Sequence, residues 1–452
     1  MNIIIVGGGK VGQKIIEKLN LENEHNITVI DARRSVIEDA VGKYDVMGIA
    51  GSGVSADNLN EAEIKNADIL IAVTGSDEIN LLTCLLAKKM GNVKTIARVR
   101  NPEYSKELHI FKEDLGLEMI INPEHAAAME IARALRFPSA IGIDSFAKGR
   151  IEILKVQIPP RSILDNLKIS ELNIRLGSDV LVCGVERDGN AFIPGGDFVL
   201  HSGDYISVVS AMVRTNEFFL QIGVNTNKVK NAMIVGGGKM GYYLAKRLIR
   251  SNIGVKLIDI DQQKCDALSE LLPKATIICG DGTDTNVLLE EGIETAESFI
   301  SLLGIDEENI MLSMYAQSVS NCKVVTKINK VSYDNVLSGL NLGTTICPKN
   351  ITAEYIVRFV RAMKNSYNSN IETMHFMLNG KAEALEFRIK SKSPVTGIPL
   401  VDLKLKSNIL IACINRDNEI IIPRGSDVLM EGDTVIVVTN HSGFDVIEDI
   451  LA

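Results

Sequence analysis

Tryptophan is absent from these 452 residues and aromatic side chains make up only 5%, which suits an aliphatic α/β core. No apolar run reaches the roughly 18–20 residues that a membrane span requires. A net charge of −9 argues against a surface that coats nucleic acid, which would need clustered Lys and Arg. The seven cysteines are scattered without a CxxC pair, and several sit in apolar runs (Cys183, Cys413). They read as small, reduced core residues of a cytosolic protein. The histidines (His25, His109, His125, His201, His375 and His441) fall in no HxH or HExxH spacing, and no GxSxG turn occurs, so neither a metal site nor a catalytic group is assigned. The chain opens directly on a strand-like run, Asn2–Val6, which in this reading leaves no room for a signal peptide.

What is present is a duplication. Gly7-Gly8-Gly9-Lys10-Val11-Gly12 returns 229 positions later as Gly236-Gly237-Gly238-Lys239-Met240-Gly241. The same shift carries Asn80 onto Asn309, Arg98 onto Lys327, Arg187-Asp188 onto Arg416-Asp417, and Gly203-Asp204 onto Gly432-Asp433. A repeat of this length is a whole-domain duplication rather than a solenoid. With 46% apolar side chains there is material for several cores, and each half exceeds one typical domain. Four domains are expected: 1–137 and 227–366 as nucleotide-binding domains, 138–226 and 367–452 as smaller ones.

The larger domain of each half alternates strand and helix. Ile3–Val6 and Ala232–Val235 are short, continuously apolar runs, as strands buried on both faces of a parallel sheet should be. Each ends at its glycine loop and a helical pattern follows. A second strand terminates in an acid, Asp31 or Asp259, and further strands are expected at Ile69–Val73, Thr95–Val99, Ser298–Leu302 and Lys323–Ile328. The fold class is therefore α/β: two Rossmann-like, doubly wound parallel sheets, each followed by a small α+β domain.

The loop has the chemistry a pyrophosphate needs. Gly7 (Gly236) makes the tight turn, Gly9 (Gly238) lets the backbone approach phosphate, and Gly12 (Gly241) allows close helix–strand packing. Phosphate charge would then meet the helix N-terminus. Asp31 and Asp259 lie 19 and 18 residues after the last glycine, about where a carboxylate accepts hydrogen bonds from an adenosine ribose. Such an acid favours NAD or NADH over the NADP pair. Arg33 and Arg34 blur that preference in the first half, and ATP or ADP would satisfy the same loop. Gly51-Ser52-Gly53 and Gly280-Asp281-Gly282-Thr283 are candidates for the adenine side. Arg98 is a candidate phosphate clamp with a planar fork, whereas Lys327 offers only a point charge.

The smaller domains carry short strands such as Tyr205–Val209 and Thr434–Val438, each after a Gly-Asp turn. They suit a module that binds a small ligand or dimerises.

Together, GGGKVG with Asp31, AVTGSDEIN (72–80), ARVRNPEY (97–104) and INPEHAA (121–127) resemble the TrkA family, the cytosolic NAD-binding regulatory subunits of bacterial Trk potassium-uptake systems. The repeated plan is similar to tandem RCK domains. The resemblance implies a non-enzymatic protein that binds NAD(H), or ATP/ADP, and docks on a membrane potassium-translocating subunit. It also implies a ring, expected to be a homotetramer, in the cytoplasm and attached to the inner face of the membrane through its partner. By position, Gly7, Gly8, Gly9, Lys10 and Val11 would hold the pyrophosphate, Asp31 the ribose, and Val73, Thr74 and Arg98 the rest of the first site. Gly236, Gly237, Gly238, Lys239, Met240 and Asp259 would repeat this, with AVTGSDEIN replaced by SLLGIDEEN. An NAD-dependent oxidoreductase and a regulator of a different ion or solute carrier are the alternatives.

Overall fold

A computed structural model describes residues 1–20, 25–101, 104, 115–136, 142–146, 151–177, 180–210, 212–224, 229–329, 340, 342–366, 371–378, 381–417, 419–441 and 443–452. The expected domain limits near 137, 226 and 367 lie outside the described residues, as does His109.

The first parallel sheet holds β1 (Asn2–Val6), β2 (Asn26–Asp31), β3 (Met47–Ala50), β4 (Ile69–Ala72), β5 (Lys94–Arg98) and β6 (Met119–Ile121) in the order β3-β2-β1-β4-β5-β6. Every pairing in it is parallel. The first antiparallel sheet follows, with β7 (Gly142–Phe146), β8 (Ile151–Gln157), β9 (Val180–Arg187), β10 (Asn190–Phe192) and β11 (Tyr205–Ser210). The second parallel sheet comprises β12 (Asn231–Val235), β13 (Gly254–Asp259), β14 (Thr276–Cys279), β15 (Ser298–Ser301), β16 (Lys323–Lys327) and β17 (Thr344–Ile346), and repeats the first order strand for strand. The last sheet contains β18 (Ile371–Met377), β19 (Ala382–Arg388), β20 (Ile409–Arg416), β21 (Glu419–Ile421) and β22 (Thr434–Thr439). In each parallel sheet the strand order reverses between the first and fourth strands, and the carboxyl ends there open a crevice.

The compact units do not coincide with the two sequence halves. One unit combines Met1–Leu135 with Val229–Val360, so the two parallel sheets and their helices belong together; the other combines Arg136–Lys228 with Arg361–Ala452. In the first unit the helix after each parallel sheet reaches the opposite copy. Helix Pro123–Arg136 sends Ala127, Ala128, Ile131 and Leu135 into the core around Met240, Tyr243 and Leu244 of helix Lys239–Arg250. Asn122 Nδ2 donates to the Tyr243 hydroxyl at 3.1 Å, and His125 meets the Tyr243 ring edge-on. In the reverse direction Lys18 pairs with Glu354 at 3.1 Å, and the Tyr355 hydroxyl donates to Glu130 at 3.0 Å.

In the second unit the antiparallel sheets share a core that includes Phe146, Ile151, Cys183 and Val209 from one and Leu378, Ala384, Cys413 and Ile436 from the other. Gly184 leaves the space that Leu378 fills, since a Cβ there would lie 2.9 Å from its methyl group. The copies diverge at the rim. Helices Ile169–Leu176 and Met212–Gln221 give way in the second copy to one-turn 3-10 helices at Leu400–Asp402 and Ile447–Ile450. Among the described residues no helix is long and apolar enough to cross a membrane.

The Gly-Asp turn found in both copies anchors a buried fork. Arg187 Nε and Nη2 each donate to Asp204 at 2.7 Å, and Arg416 repeats the arrangement on Asp433 at 2.9 and 2.8 Å. Desolvation opposes ionisation of Asp204, but the Arg187 fork and the His201 backbone amide outweigh it and hold the carboxyl below its usual 3.8. A carboxyl depressed by folding contributes stability that is complete above the ordinary value and disappears as pH falls through the lowered one. Asp204→Ala leaves a half-buried guanidinium without its partner and is expected to cost about 3–5 kcal/mol. Acid titration of unfolding for wild type and variant checks this: the stability difference should shrink steadily below about pH 4.

Candidate functional site

The first crevice is built by a glycine turn wedged against a strand end. Gly7 has φ +104°, a conformation that side chains rarely adopt, and its N–H donates to Ile30 O at 2.8 Å. A Cβ on Gly7 would lie 2.8 Å from Thr74 N, and one on Gly12 only 1.9 Å from Gly7 O. Helix Lys10–Asn20 therefore starts directly beneath the turn. Its first intrahelical bond is Gln13 N to Gly9 O, so the amides of Lys10, Val11 and Gly12 precede the ladder. No acid occupies the first turn, and the positive end of the helix faces the crevice, where Gly9, Lys10 and Val11 line the wall.

Asp31 ends β2 beside this turn with its side chain 10% exposed. Its Oδ2 accepts from Gly8 N at 2.9 Å and its Oδ1 from Arg33 N at 2.9 Å, with Arg33 Nε at 3.3 Å. A carboxylate has about four acceptor positions, so three donors leave room for a further hydroxyl. Arg33 is thus engaged by the acid, and Arg34 pairs with Glu38 on its own helix.

The floor depends on Asn80, which the repeat alignment marked without suggesting a role. Fully buried, it accepts from Thr74 N (2.8 Å) and the Thr74 hydroxyl (2.7 Å) and donates to Arg98 O (2.9 Å), tying the end of β4 to the end of β5. Arg98 Nη2 donates to Thr74 O. Desolvation lowers the Arg98 pKa and Arg100 adds to the effect, while the carboxylates of Glu124 and Asp77 oppose it.

These pieces enclose a cavity of about 550 Å³ lined by Gly7, Gly9, Lys10, Val11, Asp31, Ser52, Val73, Thr74 and Arg98, among others. Gly51 and Gly53 also line it. Gly8 and Gly12 serve behind the wall, one through its amide to Asp31 and the other by its close approach to Gly7. A diphosphate joined to a ribose suits this arrangement: free amides and a helix end at one side, a carboxylate acceptor at the other.

The second crevice keeps the frame and changes the lining. Gly236 has φ +109°, and a Cβ on Gly241 would lie 2.2 Å from Gly236 O. Gly237 N donates to Asp259 Oδ2 at 2.7 Å, and Tyr242 N to Gly238 O opens the helix that starts at Lys239. Asn309 repeats the clamp, accepting from Leu303 N and donating to Lys327 O. Leu303, however, replaces the Thr74 hydroxyl with an apolar side chain. Lys327 spends its ammonium on the Leu302 and Leu303 carbonyls, and desolvation lowers its pKa. Met240 buries its side chain in the core shared with helix Pro123–Arg136, so only its backbone faces the loop. Asp281 accepts from both the amide and the hydroxyl of Thr283, closing its own turn.

Two glycine-loop crevices at the switch points of two parallel sheets define a duplicated Rossmann-like ligand-binding protein. The family models agree: a TrkA-N domain matches residues 3–123 and 232–348, and a TrkA-C domain matches 153–222 and 384–452. The Archaeoglobus fulgidus protein described as "Trk system potassium uptake protein TrkA homolog" is 31% identical over 451 residues, covering 100% of both chains. The Haemophilus influenzae "Trk system potassium uptake protein TrkA" is 31% identical over 444 residues, 97% of this chain and 95% of that one. The chain belongs to the TrkA family. Its fold is also that of the structure titled "GsuK channel bound to NAD", with a TM-score of 0.63 at 19% identity over 97% of this chain and 76% of the other. The "Crystal Structure of the GsuK RCK domain" gives the same TM-score and identity, with 92% of that chain covered.

Removing the Asn80 amide takes this partner from Thr74 N–H and from the Arg98 carbonyl, at about 1–3 kcal/mol for each group left unpaired. Asn80→Ala is expected to lower the thermal midpoint by several degrees, and Asn80→Asp, which keeps the acceptor, by less. Calorimetry of the full chain reads the difference.

Proposed function

We propose that this chain is the nucleotide-binding regulatory subunit of a Trk-type potassium-uptake system, gating a membrane potassium-translocating partner in response to NAD(H) or ATP/ADP. The observation that carries this reading is the acid-clamped glycine loop at the switch point of the first sheet, with its cavity and its repeat in the second. The names of the full-length relatives supply the transport system. The residues proposed to hold nucleotide are those of the two loops, Asp31 with Val73, Thr74 and Arg98, and Asp259 with Asp281. Leu303 and Lys327 make the second site the weaker of the two. The protein acts as a binding regulator rather than an enzyme, assembled as a homotetrameric ring on the inner face of the membrane. Its domains divide at about 137, 226 and 366.

A ligand shifts a two-state assembly only by its difference in affinity for the two states. Phosphate bound at Gly236–Met240 would pull on helix Lys239–Arg250, which packs on Pro123–Arg136 of the other copy. That contact gives the second crevice a mechanical route to the first half, and the Lys18–Glu354 pair links the first loop helix to the second half.

Loss of hydrogen bonds to a charged acceptor is worth about 1.5–3 kcal/mol, roughly a 10- to 100-fold loss of affinity. Asp31→Ala should weaken NADH binding by that factor in titration calorimetry. The Asp31→Ala, Asp259→Ala double variant should fail to restore growth on limiting potassium in a strain that lacks the gene and has no other uptake route, where the wild type succeeds. Unchanged affinity in Asp31→Ala, or rescue by the double variant, would count against the assignment.

A further inference from the structure

Beside the acid of the second crevice, and not the first, stand two thiols. Cys279 is the last residue of β14, directly across the ladder from Asp259. Cys265 is the fourth residue of helix Gln262–Leu271, which leaves the same strand end. Its sulfur lies 3.3 Å from Asp259 O and 3.7 Å from Ile278 O, while the Cys279 sulfur lies 3.9 Å from Ile260 O. Both sulfurs thus rest on one short stretch of backbone, the carbonyls of Asp259, Ile260 and Ile278. In the first half the matching positions are Ala50, across from Asp31, and Ile37, the fourth residue of helix Arg34–Lys43. Neither can do thiol chemistry, although the surrounding frame is the same.

Cys279 is exposed and Cys265 is 4% exposed. This is the division of labour of a thiol pair, with one sulfur open to an oxidant and the other held behind it to resolve the product. Burial, above all, pushes the Cys265 thiol up to about 11.

We propose that Cys265 and Cys279 form a reversible disulfide that controls how the second crevice holds its ligand. The oxidant class is a dissolved disulfide, RS–SR. The Cys279 thiolate attacks one sulfur, making a mixed disulfide and expelling RS⁻. Cys265 gives its proton to solvent and attacks the Cys279 sulfur, forming the internal bond and expelling the second RS⁻. Two protein thiols are oxidised, one RS–SR is reduced to two RSH, and excess dithiol reverses both steps. A bond of about 2.05 Å draws the Cys265 sulfur off the Asp259 carbonyl and shifts the strand end that aims the Asp259 carboxylate. The regulatory half of this inference rests on the nucleotide reading above; the bond itself does not.

The test uses the full chain incubated with oxidised glutathione, then mapped by non-reducing peptide mass spectrometry and titrated with NADH. A peptide linking Cys265 to Cys279 is expected, absent from Cys279→Ser and Cys265→Ala and lost on reduction. Binding to the second crevice, isolated by the Asp31→Ala substitution, should weaken about fivefold or more on oxidation, and not in Cys279→Ser. Persistent glutathione on Cys279 without an internal link overturns the thiol pair and leaves the nucleotide reading intact. A complete link with unchanged NADH affinity overturns the control. Failure of the reduced wild type to bind NADH at all overturns the nucleotide reading and this regulatory step with it, while the mass map still reports the bond.

Discussion

The close approach at each switch point is the constraint on which the rest depends. Gly7 and Gly236 turn in a conformation that favours glycine, and Gly12 and Gly241 let a helix start almost in contact with that turn. A side chain at either position would push the helix away from the sheet and its amides away from the crevice. The acid at the end of the neighbouring strand completes the constraint by holding the loop amide, Gly8 to Asp31 and Gly237 to Asp259. Under the nucleotide reading proposed above, ligand recognition and fold integrity use the same atoms, and a change to the loop alters both.

Around that shared frame the copies have diverged in what faces the ligand. Thr74 has become Leu303, Arg98 has become Lys327, and the turn after the third strand has gained an acid that satisfies itself. Buried Asn80 and Asn309 are unchanged and make the same bonds to backbone, because they hold two strand ends at a fixed separation.

The strands and the loops were legible because their signals are local. Continuously apolar runs ending in glycine identify buried parallel strands, and the run boundaries agree with the structure to within a residue, as at Ile69–Val73 against β4. The acids were legible from spacing alone. Asn80 appeared in the repeat alignment, but its partners, Thr74 and the Arg98 carbonyl, come together only through strand pairing. The reading of the cysteines as core residues holds for Cys84, Cys183, Cys265 and Cys413, whereas Cys279 is exposed at a strand end. A terminal strand position looks apolar in sequence and is open in space.

The sequence by itself determined the duplication, the parallel α/β character, the glycine loops and the acids that end the neighbouring strands, because backbone conformation, hydrophobic period and residue spacing are properties of neighbouring residues. Only the tertiary structure decided which parts form a unit. Apolar faces are buried against whatever complementary face the chain can bring to them, and here helix Pro123–Arg136 finds the opposite copy's loop helix rather than its own domain's neighbour. That choice depends on shape and contact across more than a hundred residues of chain, which no local pattern records.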